Sequence, residues 1–241
     1  MEYDLCINNF LESIIIMQKY HFIINRFIIN SSKNEEQYFN ELMEYPYSDE
    51  QGWGYRDVFH TNSIVSATLQ KKVPIYYNIW NEEIRQIERK IIQIIKEVQF
   101  EIDFNNELII VEGTNTQLNL IKQSFRQLFW NEFVYEQINM LPADYIQFFS
   151  GMKILTSIDE ISINDFRYKS CMIGRYIAKP LDKMGIMDKL IENTINIIQA
   201  KIKIWITEEE CPLSISSNSM ILESSEVAKD EFLNLIKKII K

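Results

Sequence analysis

The order of apolar and polar positions predicts a chain in which helices and strands alternate. Isoleucine and valine recur at helical spacing after Asn81, which predicts a long helix from Asn81 to about Val98. The residues that set this spacing are Ile84, Ile87, Ile91, Ile94, Ile95 and Val98. Strict alternation instead predicts a strand for AKIKIWIT, residues 200–207, and an apolar run predicts another for HFIINRFIIN, residues 21–30.

The pattern helix, strand, strand, helix occurs twice. The first copy runs from Ile84 to about Phe129 and turns at Asn105-Asn106, between VQFEIDF and ELIIVEG. The second runs from about Met187 to Lys241, through AKIKIWIT, an acidic turn and LSISSNSMILES to a closing helix. We therefore predict an α+β fold of two pseudo-repeated helix–strand–strand–helix units that share antiparallel sheet. The corresponding halves are residues 1–140 and 141–241, closely packed.

Weaker patterns fill the remaining segments. They predict helices over residues 3–20, from Ser32 to Met43, where Ser32 and Glu35 form a capping-box pattern, and over 143–149. They also predict strands over residues 63–70 and 153–167.

Composition indicates a well-packed cytoplasmic protein. Of 241 residues, 46% are hydrophobic, and only six glycines and five prolines occur, so little of the chain suits a flexible linker. The acidic start MEYD is unlike a secretory signal, and charges interrupt the apolar stretch 5–29, so no membrane association is expected. The three cysteines are scattered and form no CxxC pair, which argues against a disulfide framework or a zinc site. No cofactor-binding motif occurs either.

Charge is distributed unevenly. The net charge of −9 disfavours indiscriminate binding to nucleic acid. Residues 35–57 carry seven carboxylates and only one cation, Arg56, whereas residues 167–203 carry eight basic residues and three acidic ones. The sequence thus predicts an acidic front and a basic back.

The basic back contains the best candidate site, FRYKSCMIGRYIAKPLDK, in which aromatic and cationic residues interleave. Cations neutralise phosphates while aromatic rings stack on bases, so the segment predicts contact with nucleic acid. The phosphate-contacting candidates are Arg167, Lys169, Arg175 and Lys179, positioned by Tyr168 and Tyr176. An ordinary amphipathic edge strand, kept unpaired by its charges, is the competing interpretation.

The acidic front offers an alternative function. A carboxylate-rich surface favours fast association with a basic partner protein, as in inhibitor or immunity-type modules. The candidate residues are Glu41, Glu44, Asp49, Glu50 and Trp53. Trp53 lies in a Gly-Trp-Gly triplet that is either a binding loop or a turn whose tryptophan packs into the core.

Catalytic patterns are weak. Glu101, Asp103 and Glu112 fall on adjacent predicted strands and form a third hypothesis, a metal-dependent nuclease, but no nearby lysine completes the usual set. His60, four residues after Arg56, is a possible general base at a spacing that matches no known motif. No nucleophile elbow or phosphate loop occurs. The sequence therefore favours a non-enzymatic protein without cofactor or metal.

Residues 21–130 resemble the RdgC-type recombination-associated DNA-binding proteins. The similar features are FIINRFIIN, EEQYFNELM, a loop with GWGYRDVF, a Lys-Lys-Val-Pro step, a long charged helix, and FEIDFNNELIIVEGTNTQLNLIKQSFRQLF. The family's distinctive segment between helix and hairpin is absent, and the second half does not match. The resemblance implies a non-catalytic protein that encircles duplex DNA as a homodimer. We therefore expect a nucleic-acid-binding protein that acts in recombination or phage defence.

Overall fold

Strands dominate the residues that the structure, a computed structural model, describes: 17–130, 132–138, 140–168, 172–180 and 196–240. Of these, 55% are in strands and 24% in helices. The strands are β1 (Gln18–Ile29), β2 (Trp53–Thr61), β3 (Ile64–Asn81), β4 (Gln86–Asp103), β5 (Leu108–Glu112), β6 (Phe133–Gln137), β7 (Leu155–Tyr168), β8 (Met172–Ala178), β9 (Asn196–Ile206), β10 (Glu209–Ser216) and β11 (Met220–Ser224). The helices are α1 (Glu35–Met43), α2 (Asn115–Phe129), α3 (Pro142–Gly151) and α4 (Glu226–Ile239). The prediction of a balanced α+β pseudo-repeat is wrong, because the described chain is mostly antiparallel sheet.

The long helix predicted for residues 81–98 accounts for most of this error. Asn81 ends β3, residues 82–85 form the turn, and residues 86–98 lie in β4, which pairs with β3 from Asn81↔Gln86 to Ile64↔Asp103. Isoleucine is β-branched and favours strands, and a partner as long as β3 outweighs the helical spacing. The first predicted pseudo-repeat began with this helix, so that pseudo-repeat is absent from the structure. The helix predicted to open the second copy lies largely outside the described residues, and its last residues, 196–199, already belong to β9.

Other sequence predictions are confirmed. The strand over 21–30 is β1, the Asn-Asn hairpin joins β4 to β5, and a helix follows from Asn115. Helix α1 is also present, but its cap is Asn34, whose side chain accepts a hydrogen bond from the backbone N–H of Gln37 at 3.0 Å. The predicted Ser32 cap therefore lies two residues too early.

The chain divides into two compact units. The N-terminal unit comprises residues 22–138, and the C-terminal unit comprises the described residues of 139–240 together with 17–21. The division of the chain into two domains near residue 140 remains a prediction.

In the N-terminal unit the strands follow the order β2-β3-β4-β5-β1, all neighbours antiparallel, and β6 also pairs with β1. Helices α1 and α2 bring aromatic and aliphatic residues onto one face of these strands. The core includes Phe27, Tyr38, Leu42, Leu69, Phe100, Ile121, Phe125, Phe129 and Phe133. Phe125 has its ring centroid 5.2–5.3 Å from those of Phe100, Phe129 and Phe133, so aromatic edge contacts add to burial.

In the C-terminal unit the order is β11-β10-β9-β7-β8, again antiparallel. The alternation predicted for AKIKIWIT is confirmed: Ala200, Ile202, Ile204 and Ile206 are buried in β9. Helix α3 contacts β7 and β9, and α4 contacts β9 and β11. Strand β8 ends the order and pairs only with β7 among the described strands, which makes it an edge.

None of the helices in the described ranges is both long enough and apolar enough to cross a bilayer.

Candidate functional site

The hairpin of β7 and β8 contains the nucleic-acid candidates of the sequence. Its register pairs Arg167 with Ile173 and Tyr168 with Met172, so strand structure extends into the basic segment as predicted. A β-bulge between Ile163 and Phe166 increases the local twist of β7. Lys169 lies outside the described residues, and so does Lys183, the last lysine of the segment.

Arg175 is the best-positioned cation of this hairpin. One of its guanidinium nitrogens donates hydrogen bonds to Ser162 Oγ and Gln199 Oε1, both at 3.2 Å. Ser162 is buried, so one acceptor belongs to the rigid part of the sheet. A guanidinium carries five N–H donors, and these contacts orient the group while leaving donors for an anion.

Tyr176 and Lys179 are both exposed, with Tyr176 at 50%. Arg175 and Tyr176 are adjacent in β8, and successive side chains of a strand point to opposite faces. Of the candidate residues, the structure places Arg167 and Tyr168 in β7 and Arg175 and Tyr176 in β8, with Arg175 and Tyr176 on opposite faces.

The acidic front is partly neutralised within the chain. Lys33 Nζ lies 2.7 Å from a carboxylate oxygen of Glu41 and 3.0 Å from one of Glu132. Burial lowers the pKa of Lys33, but the hydrogen bonds to these carboxylates outweigh it and raise the pKa overall. Lys72 Nζ lies 2.8 Å from Asp49, and its hydrogen bond to this carboxylate lowers the pKa of Asp49.

Two members of the acidic set remain on the surface. Glu44 and Glu50 are exposed, at the end of α1 and in the turn before β2. A basic partner would therefore meet a smaller uncompensated charge than the seven carboxylates of the sequence suggest.

Trp53 is packed into its surroundings. It is half-buried against the core, with ring centroids 4.7 Å from Tyr45 and 6.0 Å from Tyr55. Gly52 has a φ of +71°, and a Cβ at Gly54 would overlap the backbone of Tyr47. These contacts explain the Gly-Trp-Gly triplet as a tight junction, so the packed turn rather than the binding loop describes Trp53.

The catalytic candidates have structural partners. Asp103 is buried and accepts hydrogen bonds from the backbone N–H groups of Asn105 and Asn106, at 3.1 and 3.0 Å, so it holds the β4–β5 turn together. The ring of His60 lies 5.7 Å from that of Phe39, and Arg56 forms a 2.8 Å ion pair with Glu97. Within the described ranges no group of three or more His, Cys, Asp or Glu residues is arranged to hold a metal ion.

Sequence reasoning missed the most exposed apolar surface of the described chain. Residues 75–95, in β3 and β4, expose nine large apolar side chains, among them Trp80 and Ile87. The signal was present in the sequence, because β-branched residues dominate 84–98 and aromatic residues cluster at 76–80. Because the segment was assigned as a helix, its exposed apolar surface was not predicted.

Neither models of known protein families nor curated proteins give a match for this chain.

Proposed function

We propose that this chain is a non-enzymatic binding protein that contacts nucleic acid through the β7–β8 hairpin. The observation that carries the proposal is that Arg175 and Lys179 are exposed beside β7, in a segment rich in cations within a strongly acidic protein. Residues 163–180 contain four basic residues and one acidic residue, Asp165, although the whole chain has a net charge of −9. The four basic residues are Arg167, Lys169, Arg175 and Lys179.

The local geometry supports an anion-binding role. Arg175 is oriented by Ser162 and Gln199, so less side-chain entropy is lost when it meets a phosphate. Lys179 and Tyr176 are exposed nearby in the chain, where a lysine can reach a second phosphate and a tyrosine can stack on an unpaired base. Because β8 is an edge strand, a long polyanion can approach without displacing other strands.

The resemblance of residues 21–130 to RdgC-type proteins agrees with this proposal in ligand class. It adds the expectation of a role in recombination or phage defence. The hairpin lies outside the residues that carry the resemblance, so the two arguments are independent.

The first experiment is fluorescence anisotropy of the full chain with labelled single- and double-stranded DNA at low and moderate salt. We expect binding that weakens steeply with salt and is lost in the variant Arg175→Glu/Lys179→Glu, because each reversal removes a phosphate contact.

The matched control is Lys153→Glu/Lys238→Glu. Both lysines are exposed in the same unit but on other elements, and the variant changes the net charge equally. Equal loss of affinity in both variants would mean that only the overall charge matters, and salt-independent binding would contradict phosphate contacts altogether.

The acidic front remains the alternative interface, for a basic partner protein. It has less support, since Glu41 and Asp49 already pair with lysines of this chain while Glu44 and Glu50 stay exposed. A pull-down with candidate basic proteins would favour it if neutralising Glu44 and Glu50 abolished capture while Arg175→Glu did not.

A further inference from the structure

An arm of two-stranded ribbon, residues 73–95, extends from the N-terminal unit. Strand β2 pairs with β3 only as far as Lys71, and β5 pairs with β4 only as far as Gln99. Among the described strands, nine ladder pairs beyond these points, from Val73↔Ile94 to Asn81↔Gln86, pair only with each other. At about 3.4 Å per residue the arm is about 30 Å long.

Large apolar side chains are concentrated on this arm. Nine of the 21 exposed large apolar residues in the described chain are there: Ile75, Tyr76, Tyr77, Trp80, Ile84, Ile87, Ile91, Ile92 and Ile95. At about half exposure, nine such side chains present roughly 900 Å² over the tip and both faces of the arm. The five that share one face in the ladder, Tyr76, Trp80, Ile87, Ile91 and Ile95, present roughly 500 Å², so two copies would together bury about the 1,000 Å² that a specific interface requires. An isolated two-stranded ribbon is only marginally stable in water, so we expect another protein surface to bury this one.

The two faces of the arm differ in exposure and order. Residues opposite each other in the ladder share a face, and successive pairs alternate between faces. One face, here called the even face, carries two apolar pairs, Trp80 with Ile87 and Tyr76 with Ile91, and one mixed pair, Ile95 with Lys72, at intervals of four residues. Each pair between them contains at least one polar residue: Asn78 with Arg89, and Pro74 with Gln93. On the odd face, the central apolar pair Ile75 and Ile92 is less exposed than Tyr76 and Ile91.

We propose that the even face binds the even face of a second copy of this chain, with the two arms antiparallel. The two-fold axis passes through the layer of Tyr76 and Ile91, which then meets its own copy. Ile87 meets Ile95 of the second copy, and the intervening pairs that contain a polar residue meet each other. The two-fold axis repeats each of these contacts, as in any isologous interface, and both outer layers contain an isoleucine, Ile87 and Ile95.

The charges at the two ends of the arm select the antiparallel arrangement. The tip carries Glu82, Glu83 and Arg85, a net charge of −1, and three lysines lie at the base: Lys72 on the even face, and Lys71 and Lys96 on the odd face. Antiparallel arms bring each acidic tip to the basic base of the other copy, whereas parallel arms would place like charges together.

A cation–π contact within the chain restrains the even face before the two copies associate. The guanidinium of Arg89 lies 4.1 Å from the ring centroid of Tyr76. This cation–π contact restrains the tyrosine at the centre of the interface, so less entropy is lost on association. The inference goes beyond nucleic-acid binding and does not depend on it, because it concerns a different hairpin.

Sedimentation velocity of the full chain at micromolar concentration tests the proposal. We expect a dimer, and we expect the variant Tyr76→Thr/Ile91→Thr to raise its Kd by about 100-fold, since two central contacts are truncated. The matched control is Ile75→Thr/Ile92→Thr, the neighbouring ladder pair on the odd face, which we expect to change the Kd by less than about threefold. Threonine keeps the strand propensity of the arm in both variants. A monomeric native chain, or equal weakening by both variants, overturns the proposal.

A cross-linking experiment keeps the proposal testable if a variant folds poorly. In a chain with Cys6→Ser and Cys171→Ser, the substitution Ile91→Cys places a thiol next to the two-fold axis. We expect mild oxidation to give a disulfide-linked dimer for Ile91→Cys and not for Ile92→Cys. Equal yields, or no dimer from Ile91→Cys, contradict the arrangement. Flotation of a monomeric chain with phosphatidylcholine vesicles, abolished by Tyr76→Thr/Ile91→Thr, would assign the even face to lipid and overturn it too.

Discussion

Two antiparallel hairpins of the described chain, β3–β4 and β7–β8, have opposite surface chemistry. The β3–β4 hairpin exposes isoleucine, tyrosine and tryptophan along the arm, whereas the β7–β8 hairpin exposes Arg175 and is followed by the exposed Lys179. Exposed isoleucine gains free energy only when another apolar surface removes it from water. Exposed cations gain most from a polyanion whose counterions they release. The proposals of a second copy at the arm and of nucleic acid at the β7–β8 hairpin both rest on this difference.

The largest expected effect is on the free energy of unfolding, which a substitution in the aromatic core should lower far more than a substitution of an isoleucine of the arm. Phe125→Ala should lower the free energy of unfolding by about 3–5 kcal/mol, because a fully buried ring is replaced by a cavity. Ile92→Ala, on the odd face of the arm, should cost less than about 1 kcal/mol, because this side chain is 45% exposed. Urea denaturation of both variants measures the two costs. Similar costs would mean that the arm packs against something in the monomer.

Salt should affect the two hairpins differently. If the four basic residues of 163–180 each contact a phosphate, affinity for duplex DNA should fall on the order of 100-fold between 50 and 200 mM salt. Association of the arms should change only a few-fold over the same range, since apolar contact dominates it. Anisotropy and sedimentation over one salt series compare them. A steep salt dependence of self-association would place the cations, not the isoleucines, in the interface between copies.

Shortening the arm should abolish self-association and leave DNA binding unchanged. Replacing residues 74–93 by Asn-Gly leaves Val73 and Ile94 joined by a two-residue turn suited to a hairpin. We expect a monomer whose melting temperature changes by only a few degrees, and whose DNA affinity per chain is unchanged at low salt. Sedimentation, circular dichroism and anisotropy on this one variant provide the readouts. Loss of cooperative melting would show that the arm is part of the core.

The smallest expected effect concerns alkaline pH and is confined to the core of the N-terminal unit. Burial, together with a hydrogen bond to Glu132 at 3.0 Å, raises the pKa of Tyr38 to about 12. A folded-state pKa above the usual value of 10 stabilises the fold fully below pH 10, and this contribution is lost as the pH rises to about 12. The melting temperature of Tyr38→Phe should therefore fall less steeply with pH in this window, as measured by thermal melts. An unchanged pH profile would mean that Tyr38 does not titrate with unfolding.

Local patterns predicted those elements whose stability is itself local. Helix α2 has an apolar stripe and a cap at its start, and the β4–β5 hairpin has a turn held by Asp103, so a short window of sequence contains what determines each. The site was predictable in part for the same reason. The sequence predicted a strand over residues 153–167, but not β8, and the hydrogen bonds of Arg175 in β8 join it to residues 13 and 24 positions away.

The sequence by itself determined the chain's charge asymmetry, its capacity for a large core and the strand identity of its alternating segments. Only the tertiary structure decided that residues 86–98 are a strand. Their spacing fits a helix, and the long antiparallel partner that overrides it, β3, contributes hydrogen bonds that no local window contains. Tertiary structure likewise decided that Trp53 is packed, that Glu41, Asp49 and Asp57 of the acidic front are paired, and that the isoleucines of the arm face solvent. Propensity and spacing act within a few residues, whereas exposure depends on which distant residues pack together.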